Sequence, residues 1–446
     1  MVLAVALALG VSADAGAETR GQNPQKAPPA GEVPLQIYLA KGEPHACGEG
    51  CSEWIAVEGW FDRDAAGRVH AFLKRHGARK LPVYFHSPGG NAAAAFAIGR
   101  QLRQLGLTTG AGTTIPRGCA SASDRSAACQ ATKRSAQPVA AVWRPDATCN
   151  SACVFALLGG QVRQVPPSAR LGVHSAKLTL TRVFSDGRVQ QVSSKQMPSV
   201  HKAKAAEFNA LTRRYIGEMG IDGALMETAL KVPHEDIHFL SRDEIAAYGI
   251  DRREYAETSW FITQLANNTI HVSKWIVEAR GPGRKDYRVS AVLIACAKAQ
   301  RATVLYLRGL ASDEVGRPVT ATLSIGSHKA VFSLTGSGTK QDAVDTGVLF
   351  SSSLNEVPFD EFAAAAAAGA VTVVETDPLA AMKRPRDTRL STHGLAEGIK
   401  LLRDKCAQPV PSWADGARVP FVPTQAGTQN PWLPAGVYLR PGGGRE

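Results

Sequence analysis

LPVYFHSPGG at residues 81–90 and CNSACVFALLGG at residues 149–160 are the two stretches whose reading decides the fold. Residues 81–85 form an apolar run of strand length that ends in a Pro-Gly-Gly turn, and a helical pattern begins at Asn91. The glycines allow a sharp turn with N–H groups exposed at the head of the next helix. In the second stretch Ser151 opens an apolar helical run over 151–158. A serine in that position serves either as a helix N-cap or as a nucleophile.

Working outward, the segments alternate in type. Residues 35–39 and 55–61 read as strands, 64–76 as a helix, and 91–105 as a helix with Ala95, Ile98, Leu102 and Leu105 on one face. The alternation resumes at 140–143 and 171–174, both strands. Residues 179–192 read as a hairpin about Asp186 and Gly187, and 198–219 as a helix lined by Phe208, Leu211, Tyr215 and Met219. Repeated strand-helix units with short links predict an α/β fold, a largely parallel sheet covered by helices. Residues 110–140 interrupt it with Gly, Ser, Ala and Thr and read as an inserted loop.

The flanks divide the chain. Residues 1–17 read as a secretory signal peptide, although no Lys or Arg precedes the apolar run, and 18–34 as a Pro/Gly-rich linker. The α/β domain is expected over 35–257. A β-rich module of unknown role follows over 258–406, with strands at 287–295, 303–308, 330–334 and 371–375 and helices at 363–368 and 392–406. A Pro/Gly-rich tail closes the chain at 407–446.

At 446 residues and 44% hydrophobic, the chain has material for two ordinary domains. Its formal charge of +12 is scattered, without the dense basic stripe or aromatic interleaving of nucleic-acid readers, so no nucleic-acid partner is expected. No stretch after the leader reaches the roughly 18 apolar residues of a membrane span. Eight cysteines in an exported chain favour disulfides, and Cys47/Cys51 and Cys149/Cys153 lack a histidine at zinc-site spacing. Cys296 and Cys406 are the only cysteines of the second region and are expected to pair, with Cys47 to Cys51 as a local pairing. No cofactor or metal is called for.

Residues 81–90 resemble the Pro-Gly-Gly segment of Clp peptidases, of the ClpP/crotonase superfamily. Ser151 falls where that family's nucleophile begins its helix. Arg163 and the run from Pro167 to His174 are similar to the segment ending in its histidine, 23 residues beyond the serine. Phe239, Leu240, Ser241, Glu244 and the run Tyr248 to Asp251 resemble its closing helix. The likeness covers about residues 50–252.

It implies a serine peptidase acting on extended peptide or protein segments in the periplasm or outside the cell, with a homo-oligomer as its kind of assembly. Ser151 would be nucleophile, His174 general base, and Gly90 and Ala152 the oxyanion-hole donors. The family acid aligns without gaps to Ile237. Asp236 is the nearest carboxylate, with Glu235 and His238 as alternatives. A cysteine on each side of the serine is foreign to the cytosolic enzymes. The alternative function is a catalytically inactive scaffold or binding protein of the cell envelope. A crotonase-like acyl-CoA enzyme is disfavoured, since export separates it from coenzyme A.

Overall fold

The computed structural model describes residues 33–48, 50–184, 189–192, 194–264, 270–279, 287–298, 301–309, 318–335, 349–376 and 386–406. The expected leader, nearly all of the linker, the Asp186-Gly187 turn and the C-terminal tail lie outside them.

The first region is built on strands β1 (Gln36–Lys41), β2 (Glu53–Glu58), β3 (Val83–His86), β4 (Thr108–Ala111), β5 (Thr113–Pro116), β6 (Val139–Arg144), β7 (Thr148–Asn150), β8 (Val162–Gln164) and β9 (Arg170–Val173). Seven of them form a sheet in the order β5-β6-β1-β2-β3-β4-β8. The run β2-β3-β4-β8 is parallel throughout, as is β6 with β1. β2 and β3 are buried on both faces, which explains their continuous apolar spelling.

Helices cover the sheet. α1 (Ala65–His76) buries Ala65, Val69, Phe72 and Leu73, a stripe at three- and four-residue steps. α2 (Ala92–Gln104) starts where the Asn91 side chain accepts the Ala94 N–H, and it buries Ala95, Ile98 and Leu102. Residues 110–140, expected as a loop, carry β5 and the helix α3 (Ala127–Lys133). Three non-periodic features order this insert. Cys119 bonds Cys129, Ser126 caps α3, and Lys133 is buried against Glu58 at 2.8 Å.

α4 (Ala152–Leu158) follows Ser151. The hairpin β10 (Leu180–Val183) with β11 (Val189–Val192) leads to α5 (Pro198–Glu218), α6 (Ala224–Lys231), β12 (His238–Phe239) and α7 (Arg242–Ala247). Arg163 joins three helix ends. Its guanidinium donates to the carbonyls of Leu158 and Gly160 after α4, Met219 after α5, and Gly249 and Ile250 after α7, at 2.9–3.3 Å. Those carbonyls belong to helix ends that lack intrahelical donors.

The second region is β-rich, as expected. β13 (Tyr255–Glu257), β14 (Phe261–Gln264), β15 (Ile270–Ala279), β16 (Tyr287–Lys298), β17 (Arg301–Gly309) and β20 (Leu349–Pro358) form one antiparallel sheet. β18 (Pro318–Ile325), β19 (His328–Thr335), β21 (Val371–Thr376) and β22 (Arg386–Leu390) form another. Helices α8 (Phe359–Ala368) and α9 (Leu395–Lys405) share their core through Phe359, Phe362, Leu395, Ile399 and Leu402.

All eight cysteines are paired: Cys47–Cys51, Cys119–Cys129, Cys149–Cys153 and Cys296–Cys406. The expected first and last pairings are both present. No helix among the described residues is long and apolar enough to cross a membrane.

Candidate active site

β7 is three residues long and lies between two neighbours. On one side it pairs in parallel with β9, Asn150 opposite Gly172. On the other it bridges Ser87, whose N–H donates to Thr148 O (2.9 Å) and whose carbonyl accepts from Asn150 N–H (3.0 Å). The half-buried His86 helps set this register, because its Nδ1 accepts the Thr148 N–H at 3.2 Å. Burial pushes the His86 imidazole down, which keeps it neutral and able to accept.

Ser151 sits at the turn from β7 into α4 with φ +53° and ψ −118°. For a residue with a Cβ this backbone costs about 1–3 kcal/mol and persists only where its surroundings over-determine it. Its N–H donates to Gly172 O at 2.7 Å, and its hydroxyl makes no capping bond to the helix it precedes. The N-cap role that a serine has at this position is therefore not what this side chain does.

The two glycines of the 81–90 stretch differ in what their N–H groups do. Gly89 donates to the Ser87 hydroxyl at 3.1 Å, and that hydroxyl donates to Gly59 O at 2.6 Å. Gly90 bridges Phe61: Phe61 N–H donates to Gly89 O and Asn91 N–H donates to Phe61 O. In such a parallel bridge the N–H of Gly90 itself points away from Phe61. A Cβ on Gly89 would lie 2.9 Å from Ser151 Cβ and 3.5 Å from Ala152 N, so this backbone runs directly past the serine. Ala152 is the first residue of α4, and its N–H has no intrahelical acceptor.

His174 follows β9, so continuing the β7–β9 register sets Ser151 level with the Val173 step that precedes it. Its Nδ1 lies 2.9 Å from Ser175 O. A carbonyl only accepts, so the contact assigns the proton to Nδ1 and leaves Nε2 as the basic nitrogen. Burial pushes the His174 imidazole below its ordinary range. The Ser175 carbonyl and Glu235 oppose that shift, and His234 adds to it. The His234 ring is 4.9 Å away, and its Nδ1 meets the same carbonyl at 3.4 Å. The side chains of Ser151 and His174 are not hydrogen-bonded to each other.

Asp236 is not brought to His174. It is exposed in a turn, where its N–H donates to Pro233 O, and its carboxylate bonds none of the described residues. The register His238↔Val173 and Phe239↔Gly172 sets Ile237 opposite His174. An apolar side chain thus stands opposite His174, where a carboxylate was expected, and its Cδ1 packs against Gly172. Of the alternatives, Glu235 is exposed and His238 is bonded to Glu244 at 2.9 Å. Sequence reasoning missed Ser175 and His234. A backbone carbonyl leaves no side-chain signal, and His234 is near only through the turn after α6.

No family model and no curated protein matches the sequence. Among solved structures, the chain is similar to a serine-to-alanine mutant of 1510-N, a membrane-bound stomatin-specific protease. The identity is 13%, over 44% of this chain and 75% of that one, with a TM-score of 0.25. A lysine-to-alanine mutant of the same protease with a substrate peptide is 14% identical over 44% and 71%, TM-score 0.27. A mutant of ClpP1 from Listeria monocytogenes is 14% identical over 43% and 85%, TM-score 0.27.

Proposed function

We propose that this chain is a Clp-peptidase-like serine hydrolase that cleaves extended peptide segments with a Ser151/His174 dyad. The observation that carries the reading is the turn at Ser151. A serine held at positive φ at the head of a buried helix, with its hydroxyl uncommitted, adjoins the backbone of Gly89, and the N–H groups of the neighbouring Gly90 and Ala152 have no partner among the described residues.

In the reaction, Ser151 Oγ attacks the substrate carbonyl carbon while His174 Nε2 takes the hydroxyl proton. The carbonyl oxygen becomes an oxyanion and accepts from Gly90 and Ala152 N–H. Ser175 O holds the Nδ1–H tautomer and stabilises the imidazolium, the part a carboxylate has in a triad. The imidazolium then protonates the leaving amine, and water releases the acyl group by the reverse proton path. A peptide strand would reach the serine by pairing with a sheet edge such as that of the β10–β11 hairpin. The free Ser–His geometry closes when substrate binds, since catalytic hydrogen bonds are often long in empty sites.

Export supports the same reading, because eight of eight cysteines are bridged, as suits an oxidising compartment. On this reading residues 35–257 are the catalytic domain and 258–406 an appended module. The missing acid favours one other reading, an inactive binding scaffold. A fluorophosphonate probe separates the two. Labelling of the purified chain should vanish in Ser151→Ala and fall at least about 100-fold in His174→Ala, the lower end of a general base's contribution. No labelling of the unmutated chain under any condition selects the scaffold.

A further inference from the structure

We propose that the Cys149–Cys153 disulfide is a positioning clamp for Ser151, holding the turn between β7 and α4 in the conformation that presents the hydroxyl. The proposal rests on the reading of Ser151 as nucleophile, and its geometry is independent of that reading. The bridge starts two residues before the serine and ends two residues after it, so the only backbone it encloses is the turn itself. Both cysteines are fully buried. Reductants therefore do not reach the bridge in the folded chain, which argues for a fixed structural device over a redox signal.

Each end of the clamp is anchored. Cys149 lies in β7, opposite Leu171 on one side and bridged to Ser87 on the other. Cys153 lies in the first turn of α4, which packs into the core through Val154, Leu157 and Leu158. Between these anchors two bonds address the serine's own backbone: its N–H donates to Gly172 O, and its carbonyl accepts the Val154 N–H within the first turn of α4. A conformation disfavoured for any residue with a Cβ persists only where its surroundings over-determine it, and the disulfide adds a covalent restraint that spans the whole turn from β7 to α4. A loop this short removes little chain entropy from the unfolded state compared with the 110-residue separation of Cys296 and Cys406. Its effect is therefore expected on local geometry more than on melting temperature.

The test is the paired variant Cys149→Ala/Cys153→Ala, with Cys149→Val/Cys153→Ala as a second form that refills the lost volume. Two quantities are read: the Ser151 backbone in a crystal structure of the variant, and the fluorophosphonate reaction split into maximal rate and probe affinity. The clamp predicts that Ser151 leaves positive φ. It also predicts that the maximal rate falls about 100-fold, the scale of a misplaced reacting group, while probe affinity changes within a few-fold. Cys296→Ala/Cys406→Ala serves as control and should lower the melting temperature while leaving the labelling rate unchanged. If Ser151 keeps its φ near the original value, or the rate is retained, the clamp is overturned. If the unmutated chain does not label at all, the hydrolase reading fails. The clamp is then judged on the backbone alone, where relaxation upholds it and an unchanged turn overturns it.

Discussion

Gly90 and Gly67 ask the same question of one residue type in opposite surroundings. Gly90 has φ +137°, and a Cβ there would strike the Phe61 carbonyl, whereas Gly67 is exposed in α1 with open space around the added atom. Gly90→Ala should destabilise by more than about 1 kcal/mol and abolish labelling of Ser151. Gly67→Ala should stabilise by about 0.5–1 kcal/mol. Chemical denaturation of both variants checks the pair. The pH profile is decided at His174. Burial holds its imidazole low, so the neutral, proton-accepting form persists into mildly acidic solution. The labelling rate should fall as pH drops through a midpoint below the ordinary value of about 6.5. His234→Gln, which removes a repelling neighbour, should move that midpoint upward; a midpoint at or above the ordinary value in the unmutated chain would contradict the argument. Ser151, His174 and Gly90 were legible because each ends a strand or begins a helix in a pattern of adjacent residues. The partner of His174 was not, because β12 meets β9 in a register that only the folded sheet reveals and that puts Ile237 where a carboxylate was sought.

The insert between β4 and β6 shows what periodicity cannot report at the level of an element. α3 has seven residues and buries only Cys129 and Lys133. Tyr38 donates to Glu58 at 2.5 Å, Lys133 donates to Ala122 O at 2.5 Å, and the Lys133–Glu58 pair ties α3 to β2. Burial raises the Glu58 carboxyl above its ordinary range even though Lys133 and Tyr38 pull it down, so desolvation wins at this site. Removing only the cation should then be costly. Lys133→Met is expected to destabilise by about 3–5 kcal/mol, and Lys133→Met/Glu58→Gln to recover much of that loss. A double-mutant cycle by thermal or urea unfolding measures the coupling, and additive losses would count against it. The strands and helices of the sheet itself were readable because each carries its own apolar stripe. α3 was not, since a distant glutamate, a disulfide and a serine cap stand in for one.

At the scale of the molecule, the second region closes on itself through one covalent tie. Cys296 on β16 meets Cys406 just after α9. In the chain-entropy model that closure contributes about 4–5 kcal/mol, so Cys296→Ala/Cys406→Ala should lower the melting of this region by a corresponding amount. Calorimetry that finds no shift would mean the loop is already closed by packing. The pairing was readable from the count of cysteines alone. The two-sheet arrangement was not, because only four of its ten described strands were recognisable and their order depends on pairings between distant segments. Arg163, noted above for the carbonyls it gathers, has a kinetic corollary. Its acceptors come from three helices far apart in the chain, so the guanidinium is satisfied only when all three are docked together. Amide exchange at the ends of α4, α5 and α7 should accordingly report a single opening with one free energy. Arg163→Lys, with a point charge that cannot span the five acceptors, should split it into separate openings, the α7 end fraying first.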